Sequence, residues 1–196
     1  MSLWSLIDGG ASMADASTSG QRLALWVGRR MATRHPGVSV GPGGRIHPDA
    51  RVHPRQGTIT FGRNCQLAPG AIVQGNVRLG DDCSVQAYAV LVGYGAAPED
   101  GIMVGNGVRI APHAMLIAAD HVFDDPDAPI HQQGLRPRPI VIEDDVWVAG
   151  RVTITAGVRV GRGSVLGAGA VVTTDIPPYS VAVGVPARVI RSRRPM

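Results

Sequence analysis

The strongest constraint on this chain is a spacing of six residues. In PIVIEDDVWVAGRVTITAGVRVGRGSVLGAGAVV, residues 139–172, aliphatic anchors stand at Ile142, Val148, Ile154, Val160, Leu166 and Val172. Four residues beyond these anchors come further small or aliphatic residues: Val146, Val152, Val158, Ser164, Ala170 and Ile176. An α-helix repeats every 3.6 residues and a strand every 2, so neither produces this pattern. A short repeat whose units bury their faces only against one another is the pattern of a β-helix. The spacing extends upstream through Val40, Ile46 and Val52, and resumes after a three-residue insertion at Phe61, Leu67, Val73, Leu79, Val85 and Leu91. A second interruption, GYGAAPEDGIM, precedes Val104, Ile110 and Leu116. Eighteen anchors make six three-sided coils, each rising about 4.8 Å, for a prism about 30 Å long. Aromatic residues are only 4% of the chain, which suits a narrow aliphatic core. Asn64, Asn76, Asn106 and the glycines suit corners that need positive φ.

This predicts an all-β molecule in three parts. Residues 1–37 form an N-terminal arm and a capping helix. Residues 1–16 have no period and read as a loose or partner-packed arm. Ser17 to Arg34 read as a helix with apolar face Leu23, Leu25, Trp26 and Met31, which plugs the solenoid's open end; a membrane-surface helix is the alternative. Residues 38–177 carry the repeats, interrupted by a long loop at 118–140, and residues 178–196 form a tail. Ile176-Pro177-Pro178 cannot supply ladder donors through its prolines, so the coils are expected to stop there.

Cys65 and Cys83 lie eighteen residues apart, which stacks them in successive coils as reduced core fillers. All nineteen basic residues are Arg. They are scattered and lack the interleaved aromatics of a nucleic-acid surface. No segment approaches the roughly 20 apolar residues of a membrane span and no signal peptide is apparent, so the expected location is cytoplasmic.

Two further segments bear on function: the loop AADHVFDDPDAPIHQQGLRPRPIVI, and the tail IPPYSVAVGVPARVI. With the repeats they resemble, over residues 61 to 191, the hexapeptide-repeat acetyltransferases of the maltose, galactoside and polysaccharide O-acetyltransferase type. The resemblance implies a left-handed parallel β-helix, a homotrimer with active sites between prisms, and acetyl-CoA as co-substrate without a metal. It makes His121 the catalytic base, a role an imidazole can fill near neutral pH. It sets Trp147 beside the thioester, Gly150 and Ala168 along the pantetheine track, and Thr173 at a hydroxyl contact. Thr174 replaces a frequent Lys there, and Arg188 and Arg191 match residues near the nucleotide phosphates. On the acceptor side the resemblance implies a polar residue within CSVQAYAVLVGYG, where Gln86, Tyr88 and Tyr94 are candidates and the family's usual Asn is absent. His131 lies in the long loop, within reach of an acceptor. His35, His47, His53 and His113 read as surface or corner residues.

The expected activity is direct acetyl transfer to a hydroxyl of a sugar or glycosylated small molecule. N-acetylation of an amino sugar is the nearest alternative. A non-catalytic β-helix module would need neither the loop nor the PARVIR tail. A zinc hydratase of this repeat class would need three His ligands, and its H-x-x-x-x-H pair is missing.

Overall fold

The computed structural model describes residues 2–194. Its repeats form three parallel walls. The first holds Val38–Val40, Ile59–Phe61, Val77–Leu79, Ile102–Val104, Ile140–Ile142 and Arg159–Val160. The second holds Arg45–Ile46, Gln66–Leu67, Ser84–Val85, Arg109–Ile110, Trp147–Val148 and Val165–Leu166. The third holds Arg51–His53, Ile72–Gln74, Val90–Val92, Met115–Ile117, Thr153–Ile154 and Val171–Val172. Register follows the six-residue period: Val40, Phe61, Leu79, Val104, Ile142 and Val160 pair in one stack. All the anchors except the half-buried Val40 are buried, each worth about 1.5–3 kcal/mol of apolar burial. Cys65 and Cys83 are free thiols inside this core.

The corner between the first and second walls has one backbone solution. Gly43, Asn64, Asp82, Gly107, Asp145 and Gly163 all lie at φ between 55° and 69°. Each is glycine or a short polar residue, the types that tolerate this region. Asn76 and Asn106 do not adopt positive φ, contrary to expectation; Gly75 and Gly107 do so instead. The two asparagines act through their side chains. Asn106 Oδ1 accepts from Asp81 N at 2.8 Å, and the buried Asn76 Oδ1 accepts from Thr58 N at 2.9 Å.

All three insertions enter at the corner between the third and first walls, after Val52, Leu91 and Leu116. The other two corners stay tight. Loops extending from one edge leave the remaining surface of the prism uninterrupted.

The ends differ from expectation. Residues 2–16 are a packed arm rather than a loose one: Leu3–Ile7 form a short helix, α1, and Asp8 is buried against His47. His47, expected at the surface, is only 3% exposed. The capping helix α2 spans Ser19–Thr33, with Thr18 and Gln21 forming a capping box. It turns Ala24, Leu25, Gly28 and Ala32 inward, while Leu23, Trp26 and Met31 stay exposed. The reason is close approach: a Cβ on Gly28 would sit 2.0 Å from the Ile46 carbonyl oxygen. At the other end the chain continues past Pro177-Pro178. Ser180–Val183 adds a parallel rung to the second wall, and Arg188–Ser192 folds back antiparallel on it. Beside the prolines Ser164 Oγ fastens the chain, donating to Pro177 O at 2.9 Å and accepting from Ser180 N at 3.1 Å. No helix is long and apolar enough to cross a membrane among the described residues.

Candidate active site

The long insertion is a braced β-hairpin. Ala119–His121 pairs antiparallel with Leu135–Pro137, and α3 (Ile130–Gln133) sits near its tip. Strand alternation gives the hairpin two faces. One carries ion pairs from Arg138 to Asp120 and from Arg136 to Asp124. The opposite face carries His121, across from Leu135. His121 is exposed and enters no ion pair among the described residues, so its ring nitrogens are available to a ligand. Gln133 closes the tip, donating through Nε2 to the Asp125 and Ala128 carbonyls at 2.9 and 2.8 Å. His131 is exposed on α3.

The predicted site residues fall into two strips on opposite sides of the prism. Tyr94, His121, Thr173 and Thr174 lie along the insertion corner, between the third and first walls. Arg55 stacks over the Tyr94 ring there, 5.2 Å from its centroid. The second strip follows the second wall and its far corner. Trp147 stands outward on that wall, 52% exposed, between Arg109 and Val165. Gln86, Tyr88, Gly150 and Ala168 occupy the adjoining corner, where Gly169 N donates to Gly150 O at 2.9 Å. Arg188 and Arg191 are exposed on the added strand of the same wall. A triangular prism places the second wall opposite the insertion corner, so one chain does not bring His121 and Trp147 together.

Gly150 has negative φ, and a Cβ there would touch only Pro112 O, at 3.5 Å. Neither backbone conformation nor internal packing requires a glycine at this position. Its bare surface suits close approach by an extended ligand. His113, expected at the surface or a corner, stacks on Tyr88 with centroids 5.5 Å apart and planes 9° from parallel. The sequence held a signal for this pair, because both stand three residues after a second-wall anchor. Among the described residues no three His, Cys, Asp or Glu side chains are grouped to hold a metal ion.

The bacterial transferase hexapeptide repeat matches residues 58–93 and 139–174. A probable acetyltransferase of Mycobacterium tuberculosis is 36% identical over 121 residues, 62% of this chain and 39% of the relative. Galactoside O-acetyltransferase of Escherichia coli is 43% identical over 96 residues, 46% of this chain and 43% of the relative. The chain thus spans about two fifths of the length of these curated relatives. Among solved structures, an N-acyltransferase from Bacillus cereus in complex with dTDP-4-amino-4,6-dideoxyglucose and coenzyme A superposes with TM-score 0.73 at 25% identity, covering 85% of this chain and 90% of that one. A maltose O-acetyltransferase from Clostridium difficile superposes at TM-score 0.53 and 25% identity, over 92% and 79% of the two chains. With its repeats, its six-coil prism and these neighbours, the chain is a left-handed hexapeptide-repeat β-helix similar to the acetyltransferases built on that repeat.

Proposed function

We propose that the chain is a coenzyme-A-dependent acetyltransferase, working as a homotrimer, that acetylates a hydroxyl of a sugar or glycosylated small molecule. The observation that carries this reading is His121, presented on a braced hairpin that the solenoid itself does not need. The split between the two strips supports the trimer. Packing prisms side by side brings the hairpin of one copy to the second wall of its neighbour, where Trp147, Gly150 and Ala168 stand. Above the second coil the outward side of the third wall is apolar at Val90, Met115 and Val171, none of them buried in one chain, and such surface favours a partner.

In this reading His121 accepts the acceptor's hydroxyl proton as its oxygen attacks the acetyl thioester carbon. A backbone N–H near Gly150 stabilises the oxyanion. The carbon–sulfur bond then breaks, the imidazolium returns its proton to the thiolate, and free coenzyme A and the acetyl ester leave. Arg188 and Arg191 supply charge for the nucleotide phosphates, more so because Thr174 carries none. The same reading keeps the enzyme in the cytoplasm with its supply of acetyl-CoA. The better overlap with the N-acyltransferase fold favours an amino sugar as the second acceptor class. Incubation with acetyl-CoA and a sugar panel tests both. Thiol release with a hydroxylamine-labile product supports the ester, and a hydroxylamine-stable product supports the amide. No thiol release with any acceptor, from a protein that does not bind coenzyme A, would refute acyl transfer.

A further inference from the structure

We propose that the cleft between the C-terminal end of α2 and the third wall is a subsite for an anionic group. The acceptor is then a phosphorylated or carboxylated hydroxyl compound rather than a neutral sugar. This rests on the acyl-transfer reading above and narrows its substrate.

The cleft has a volume of about 790 Å³, within the roughly 300–1,000 Å³ of small-molecule sites. Arg34 and His35 enter it from the end of α2, Arg51 and His53 from the first rung of the third wall, and Tyr88 from the third coil. Among the described residues neither Arg34 nor Arg51 belongs to an ion pair. The rings of His35 and His53 meet edge-on at 4.7 Å. His53 Nδ1 accepts from Arg55 N at 3.0 Å, which leaves Nε2 as its remaining polar atom. The one carboxylate on the lining, Asp49, already accepts from Ser2 Oγ at 2.6 Å and lies 3.9 Å from His47 Nδ1.

Four side chains that carry or can take positive charge therefore share one cleft with a single carboxylate, Asp49. Like charges gathered this way repel, and an anion between them turns the repulsion into attraction. Loss of hydration, followed by the neighbouring His53 and Arg34 charges, already holds the His35 ring below its ordinary pKa. Arg forks match both phosphate and carboxylate oxygens. Tyr88 joins the cleft to the strip holding Gln86, Trp147 and Gly150. A sugar anchored by its anionic end here would direct its hydroxyls toward that strip.

The test is calorimetric titration of the full-length protein with glucose 6-phosphate, glucuronate and glucose at low salt, repeated with Arg34→Gln/Arg51→Gln. Both arginines are exposed, so the variant is expected to fold; Arg78→Gln on the first wall is the control. The proposal predicts binding of at least one anionic sugar, with glucose at least about tenfold weaker and a similar loss in the double variant. Preference between the two anions identifies phosphate or carboxylate. Equal binding of glucose, no binding of any of the three, or an unaffected double variant would overturn it. Titration with acetyl-CoA in the same series separates the two ideas. Cofactor binding without anion binding defeats this inference alone, and failure of cofactor binding defeats the acyl-transfer reading.

Discussion

His47 Nε2 lies 2.5 Å from Asp8 Oδ2, thirty-nine residues away in the chain, with both side chains sealed from solvent. His47 Nδ1 accepts from Asp49 N at 3.1 Å, so Nε2 bears the hydrogen and donates to the carboxylate. This contact fastens the N-terminal arm to the first coil. Breaking a buried pair by removing one partner costs about 3–5 kcal/mol. Asp8→Ala is expected to lower the melting temperature and expose residues 2–16 to proteolysis while the coils remain intact. Burial pushes the Asp8 carboxyl up, but His47 and the backbone N–H groups of Gly10 and Ala11 outweigh it and leave it below the usual value of 3.8. A carboxyl lowered by folding stabilises at pH above its unfolded value, and the contribution fades as pH falls through the folded one. Melts at a series of pH values check this. The gap between wild type and Asp8→Asn is expected to stay level from neutral pH to about 5 and to close below the ordinary carboxylate pKa.

Gly28 governs how closely α2 approaches the coil. Gly28→Ala forces its new carbon against the Ile46 carbonyl, and overpacking of this kind costs about 1–3 kcal/mol. Trp26→Ala, on the exposed side, is expected to change stability by no more than about 0.5 kcal/mol. Thermal melts of the two variants decide, and the reverse ranking would contradict the packing described.

The six-residue period carried the walls correctly, because every anchor pairs with an anchor in the next coil and nothing else competes for that slot. It was silent wherever packing comes from outside the period. α2 turns small residues inward because its axis lies close to the backbone of the first coil, whereas reading its hydrophobicity points to Leu23 and Trp26. His47 occupies an outward coil position that Asp8 and the closely packed α2 cover. Pro177 and Pro178 look like a stop, yet Ser164 provides the bonds that carry the chain past them. The motifs named candidate site residues one by one, but their division into two strips was not legible, since spacing along one chain carries no information about a neighbouring copy.

Cys65 Sγ donates to Gly80 O and Cys83 Sγ to Gly105 O, each at 3.0 Å. Sharing with Cys65 and burial push the Cys83 thiol up; the contact with Cys83 lowers that of Cys65. Burial still denies both to reagents. An aromatic disulfide reagent is expected to titrate neither thiol in the native protein and both in guanidinium. Cys65→Ala with Cys83→Ala is expected to keep activity within severalfold of wild type, with a stability loss from small cavities. Abolished turnover in a folded double variant would implicate thiol chemistry.

If the two strips meet only between copies, two damaged chains can repair one another. His121→Ala and Gly150→Trp are each expected to be nearly inactive and trimeric by light scattering, at three times the 20.5 kDa chain mass. Refolded together in equal amounts, they form intact sites wherever a good hairpin meets a good second wall. Random mixing makes that about one site in four. Recovery to that level supports shared sites, and no recovery places the whole site within one chain.

The most direct test is steady-state kinetics of His121→Ala. Loss of a general base lowers kcat by about 10²–10⁴. The KM for acetyl-CoA is expected to hold nearly constant, because the imidazole acts on the acceptor hydroxyl and does not bind the cofactor. Arg188→Ala is expected to do the opposite, raising that KM while sparing kcat at saturation. A folded, trimeric His121→Ala protein, saturated with acetyl-CoA and acceptor and turning over at the wild-type rate, would contradict the account.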